Sequence, residues 1–285
     1  MSERVSETEP TTPVGTNGVG TAPVAAAPAQ ATAGIVSDPL VEYLIRHGDD
    51  RLVLGHRLSE WCGHAPILEE DIALGNIALD LLGQATSLLG LAAEQEGKGR
   101  DADALAFFRE AVEFRNVQLV ELPRGDFAVT LVRQFLFDAY DVLVTEALSR
   151  SAHAPLAGVM AKAHKEARYH VRHSGEWVVR LGDGTDESHR RAQRALDDLW
   201  RFTSEPFLMD DVDRAMLAAG IGADLDALRP RWEASVREVM TEAGLQIPGG
   251  AFVARGGRTG RHTEHLGHML AEMQIVARSH PGATW

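Results

Sequence analysis

Four side chains stand where helical periodicity calls for leucine, and their types are those that hold metals or buried charge. Stepping alternately by four and three from Leu156 meets Met160, Ala163, Ala167, His170, Ser174, Trp177 and Leu181. The same stepping elsewhere gives Leu40, Leu44, His47, Arg51, Leu54, Leu58 and Trp61, then Leu74, Ile77, Leu81, Gln84, Leu88 and Leu91, then Leu131, Phe135, Asp138, Val142 and Thr145. Residues three and four apart share a helix face, so each row is an inward seam. Arg51 (with His47), Gln84, Asp138 and His170 therefore form a polar layer inside an apolar bundle.

In one bundle architecture such a layer binds two metal ions through a Glu from each of two helices and a Glu-x-x-His pair from each of the others. Two such ions need anionic bridging ligands. Here the two i, i+3 slots read Leu81/Gln84 and Ala167/His170, and the single carboxylate slot on the first helix reads Arg51. Only Asp138 and His170 keep ligating chemistry, opposed by a guanidinium. The expectation is a degenerate site that binds no metal and carries no catalytic residue. Arg51, Gln84, Asp138 and His170 would instead form a buried hydrogen-bonded network, with Arg51 on Asp138 and His170 close by. The competing reading is a metal-dependent oxygenase using Asp138, Glu166 and His170, with His173 one turn on. Glu166 lies about 100° off the seam beside Lys165 and Arg168, which favours a surface or interfacial ion pair. His262, His265 and His268 step round a helix by threes, and only His268 and Glu272 share a face. Packing or partner contact suits them better than zinc. The lone Cys62, beside Trp61 at a helix end, reads as a small buried side chain rather than a nucleophile.

The elements that position this layer have clear signals. Asp38-Pro39 starts a first helix reaching about Cys62, and Pro66 opens a second that ends near Glu96-Gly97. Residues 101–121 read as a broken helical excursion. Long helices follow at about 126–150 and 155–181, then shorter ones at 187–202, 210–219, 225–243 and 263–279. Gly256-Gly257-Arg258-Thr259-Gly260 follows no strand, so it is a turn and not a phosphate loop. No β-alternation or solenoid repeat is present. The fold expected is all-α, a four-helix core wrapped by C-terminal helices over 37–285. Residues 1–36, rich in Ala, Pro and Thr, read as a disordered tail.

Composition narrows the function classes. The net charge of −13 disfavours nucleic acid. A single cysteine allows no intrachain disulfide and fits a cytosolic compartment. Met1-Ser2-Glu3-Arg4 begins no secretory signal, and no window is expected to reach the ~20 apolar residues of a membrane span.

Four segments carry a resemblance: RLSEWCGHAPILEEDIALGNIALDLLGQA (57–85), KEARYHVRHSGEWVVRLGDGTD (165–186), LWRFTSEPF (199–207) and GGRTGRHTEHLGHMLAEMQ (256–274). From about residue 38 on, the chain resembles the C-type subunits of the multicomponent phenylacetyl-CoA monooxygenases, or 1,2-phenylacetyl-CoA epoxidases. The resemblance implies a ferritin-like fold and a non-catalytic structural role. It implies a cytoplasmic hetero-oligomer with a ferritin-like A subunit that holds the di-iron site, and a reductase subunit that delivers electrons. Aligned on W-x-x-x-A-P (Trp61 to Pro66) and K-E-x-x-[YF]-H (Lys165 to His170), the A-type ligand slots fall on Arg51, Leu81, Gln84, Asp138, Ala167 and His170. A partner interface is also expected, because a second stripe (Ile72, Leu79, Leu82, Leu89) runs along the second helix and another (Leu136, Tyr140, Leu143) along the third.

Overall fold

The structure is a computed structural model that describes residues 38–250 and 253–283, which fall within one compact unit. The tail expected at 1–36 lies outside the described residues. Among those described there are ten α-helices, short 3-10 turns and no strand. The long ones are α1 (Pro39–Ser59), α2 (Leu68–Glu96), α5 (Phe127–Leu148) and α6 (Ala154–Gly182). Between the pairs lie α3 (Ala102–Phe107) and α4 (Gln118–Glu121), and after them α7 (Asp186–Leu199), α8 (Asp211–Ala218), α9 (Leu225–Glu242) and α10 (Glu264–Ser279).

Local chemistry sets these boundaries. The Asp38 carboxylate accepts from Leu40 N at 2.9 Å, with Pro39 inside the first turn. α2 begins at Leu68, two residues later than the proline suggests. Asp71 accepts from Gly63 N and Ala65 N, which ties Pro66 into the preceding turn and leaves Ile67 extended. Gly97 ends α2 in the left-handed conformation that glycine adopts freely.

α1 and α2 run antiparallel in close contact. A Cβ on Gly48 would come within 2.8 Å of the Leu89 side chain, so only glycine fits there without repacking. α5 and α6 are also antiparallel, with Asp138 meeting Ser174 and Thr145 meeting His164. The seam residues Leu44, Leu54, Leu58, Leu74, Ile77, Leu81, Leu88, Leu131, Leu156, Met160, Ala163 and Ala167 are all fully buried. Trp232 of α9 donates to the Leu136 carbonyl, and Phe207 meets Tyr140 edge to face, so the later segments cover α5.

α2 departs from expectation, because by length and apolar composition it could cross a bilayer. Its core stripe is joined by an outer face of Leu68, Ile72, Gly75, Leu79, Gly83 and Gly90, which raises the hydropathy of the whole helix. The inner side is packed in the bundle. Cys62 departs as well. α1 stops at Ser59, the turn that follows exposes Cys62, and Trp61 turns inward to donate to Thr130 Oγ1 at 2.9 Å.

Gly48→Val is expected to destabilise the chain by ~1–3 kcal/mol through overpacking against Leu89. Gly83, whose Cβ would meet open space, should instead stabilise by roughly 0.5–1 kcal/mol when changed to Ala. Urea unfolding of both variants checks the pair.

Candidate functional site

The polar layer is a chain of hydrogen bonds with one member from each long helix. Arg51 of α1 donates through Nη2 to Asp141 Oδ1 of α5 at 2.5 Å and through Nε to Gln84 Oε1 of α2 at 2.8 Å. Gln84 Nε2 passes the contact on to Glu166 Oε2 of α6, also at 2.8 Å. Arg51 Nη1 turns back on its own helix to the His47 carbonyl at 3.0 Å. Arg51 and Asp141 are 1% and 2% exposed at the side chain, so the ion pair is shielded from water.

All four residues expected in the layer are buried, but two of the expected contacts are replaced. Arg51 pairs with Asp141 and not with Asp138. Side chains on a helix lean toward its N-terminus. Because α1 is antiparallel to α5, that lean carries the guanidinium toward the C-terminal end of α5, where Asp141 stands. Asp138, one turn back, accepts instead from Gln134 Nε2 at 2.7 Å and Ser174 Oγ at 2.8 Å. His170 faces α2, with Nε2 3.1 Å from Asp80 Oδ2. Glu166 keeps the expected ion pair, with Lys162 Nζ 3.4 Å away, and in addition joins the layer through Gln84.

The electrostatics follow from burial. Burial pushes the Asp138 carboxyl well above the usual range. The hydrogen bond from Ser174 opposes this, and the charge of Asp141 adds to it. Burial also raises Asp141, against the pull of Arg51. His47 is held well below its ordinary value by burial and by the charges of Arg51, Arg258 and Arg46, so it is a neutral ring lying edge-on to Tyr43.

These residues do not fit a di-metal centre. Arg51, Leu81, Gln84 and Ala167 occupy four of the slots that the resemblance implies for ligands, while Asp138 is bonded to Gln134 and Ser174 and His170 to Asp80. Among the described residues, no three His, Cys, Asp or Glu side chains are grouped so as to hold a metal ion.

A second set of charged contacts on α1 escaped the sequence reading. Asp49 accepts from Arg109 Nη1 at 2.9 Å and Arg115 N at 2.8 Å. Asp50 accepts from Val117 N at 2.8 Å and from both terminal nitrogens of Arg258, at 3.0 and 2.8 Å. Arg46 reaches Asp210, the N-cap of α8, at 2.6 Å and Asp213 within that helix at 3.0 Å. The available signal was five polar residues, Arg46, His47, Asp49, Asp50 and Arg51, within one turn and a half of a helix and bounded by Ile45 and Leu52.

The family model described as "Phenylacetic acid catabolic protein" matches residues 22–285. The chain belongs to this family. It is also 51% identical over 246 residues, 86% of its own length and 99% of the relative's, to the C subunit of the 1,2-phenylacetyl-CoA epoxidase of Escherichia coli (strain K12). The resemblance drawn from the four sequence segments therefore holds over most of the chain.

Asp141→Ala should cost ~3–5 kcal/mol, because it leaves a buried guanidinium unpaired, whereas joint apolar replacement of Arg51 and Asp141 should cost much less. Asp138 carries the opposite sign. Its folded pKa is raised, so the native state binds the extra proton and stability falls as pH climbs from ~4 through the raised value. Asp138→Asn removes that loss. Urea unfolding at acidic and neutral pH should show wild type losing stability relative to Asp138→Asn as pH rises.

Proposed function

We propose that this chain is a non-catalytic, ferritin-like structural subunit of a multicomponent phenylacetyl-CoA epoxidase, stabilising a homologous subunit that carries the di-iron site. The observation that carries the reading is Arg51. A guanidinium bonded to Gln84 and Asp141 occupies the layer where the metals of an active homologue would sit. A fixed cation there repels further cations, and it neutralises the carboxylate best placed to attract one. Family membership and the 51% identity to a C-type epoxidase subunit support the assignment to the phenylacetate-degrading oxygenase. The remaining partners, a reductase among them, and a cytoplasmic setting belong to the same proposal.

The exposed surface supports this reading. Leu136 and Tyr140 are covered by the C-terminal segments, and Leu89 is buried against α1, so most of the two outer stripes is spent inside the chain. What stays uncovered is the outer side of α2, where Leu68, Ile72 and Leu79 are 72%, 56% and 67% exposed. Gly75, Gly83 and Gly90 on the same helix have open space beyond their backbone, which lets another helix approach closely. A helix of the A-type subunit is the occupant that this reading assigns.

Leu79→Asp should leave this chain folded, by circular dichroism and unfolding midpoint, while lowering its co-purification with the A-type subunit by at least about tenfold, or ~1.4 kcal/mol. Oxygenase activity of the mixture should fall in step with assembly. Undiminished binding would refute the docking face. No complex even between wild-type chains would refute the scaffold role itself.

A further inference from the structure

His262, His265 and His268 take no part in the proposed function, and they differ in burial. His268 is exposed and His265 is half-buried, its backbone carbonyl accepting from Arg57 Nη2 at 2.8 Å. His262 is different, with a side chain only 4% exposed. Its Nδ1 lies 2.7 Å from Glu121 Oε2 and its Nε2 lies 3.0 Å from the Phe114 carbonyl.

A neutral imidazole has one N–H and can donate to one of these acceptors. The carbonyl has no proton to offer. Both contacts are hydrogen bonds only if the His262–Glu121 pair holds an additional proton. Glu121 already serves as an acceptor elsewhere, from Thr263 N at 2.5 Å and from Asn116 Nδ2 at 2.8 Å. The ring is therefore the natural seat of the proton, and the pair titrates as a unit.

The contact sits at a mechanical junction. Just before it, Gly256 N and Gly257 N donate to Glu205 Oε1, and Arg258 pairs with Asp50. A Cβ on Gly257 would lie 2.0 Å from the Asn116 carbonyl oxygen, so this strap is seated without slack. Just after it, α10 begins, and Gln274 of that helix donates to the carbonyls of Ala106 and Arg109 at 3.0 Å. His262 joins the strap and the helix to the Phe114–Glu121 segment.

We propose that His262 is a proton-dependent latch: with its proton it clamps the strap and the start of α10 onto Phe114–Glu121, and without it that clamp is lost and the segment loosens on its remaining contacts. The charged groups around it are few and paired. Glu121 faces it from α4. From α1, Asp49 contributes negative charge while holding Arg109, and Arg57 donates to the Glu121 carbonyl at 2.8 Å. Arg115, on the facing segment, is held by Glu42, and Arg258, on the strap itself, by Asp50. Arg261 and Glu264, its neighbours in sequence, are exposed. Burial works against the imidazolium, but the hydrogen bond and charge of Glu121, with the Phe114 carbonyl and Asp49, outweigh it and raise the pKa of His262. A folded pKa above the unfolded one means that the latch contributes fully below about pH 6.5 and is lost as pH rises through the folded value.

The test uses the full chain, with ¹³Cε1-labelled histidine followed by NMR and with amide exchange of residues 253–270 measured from about pH 6 to 9 and corrected for intrinsic rates. The resonance absent from His262→Gln is expected to titrate above about 6.5. Protection of 253–270 should fall about tenfold or more through the same midpoint, while α5 and α6 keep theirs. His262→Gln should abolish the pH dependence. Titration at or below the ordinary histidine value, or flat wild-type protection through the midpoint, overturns the latch. If His262→Gln does not fold, assigned wild-type resonances and wild-type exchange decide the question alone.

Discussion

Burying a run of charge in the middle of a helix is the constraint on which this structure depends. Arg46, Asp49, Asp50 and Arg51 are all buried within two turns of α1, and an unpaired charge in such a place costs several kcal/mol. Each is answered by a different part of the chain: Arg46 by α8, Asp49 by the segment after α3, Asp50 by the Gly-rich strap, and Arg51 by α5 and α2. α1 can be enclosed only when all of these have arrived. The bundle and its C-terminal wrapping are therefore one cooperative object, although their helices read in sequence as a core with later additions.

On the proposed function, the same arithmetic explains how a metal-binding architecture would persist without its ligands. Carboxylates facing one another in a bundle core repel unless cations lie between them. Arg51 supplies that cation from within the chain. Asp141 answers it, Gln84 relays the contact to Glu166, and Asp138 is quieted by two neutral donors, Gln134 and Ser174. A layer of this kind is polar and largely paired, with His170 Nδ1 and Gln134 Oε1 left without a partner, and it suits the structural role proposed for the chain. α2 faces both ways in this arrangement. Its inner side closes the layer, and its outer side offers Leu68, Ile72 and Leu79 to a neighbour.

Much of this was legible in the sequence. Helical periodicity placed the four long helices within two or three residues and put Arg51, Gln84, Asp138 and His170 in the interior, because burial on one face leaves a repeating signature. Pairing within the layer was not legible. Whether Arg51 meets Asp138 or Asp141 depends on the stagger of α1 against α5 and on the lean of a long side chain, and neither leaves a mark on a single helix. The link from Glu166 to the layer was not legible for a related reason. Gln84 is long enough to reach outward from the seam, so the polar layer extends beyond the apolar face that defines it. Asp49 and Asp50 were overlooked because a charged pair off the seam ordinarily marks solvent. Here α1 is surrounded on every side by segments distant in sequence, and only the fold supplies Arg109, Arg115 and Arg258.

The proposed replacement of the metals by Arg51 is tested most directly by the iron content of the purified chain, measured as isolated and after anaerobic loading with Fe(II) and gel filtration. Iron far below one atom per chain, unchanged in Asp138→Ala and His170→Ala, is the expected result. Near-stoichiometric iron that disappears with either substitution would contradict it, and would make this chain an oxygenase centre in its own right.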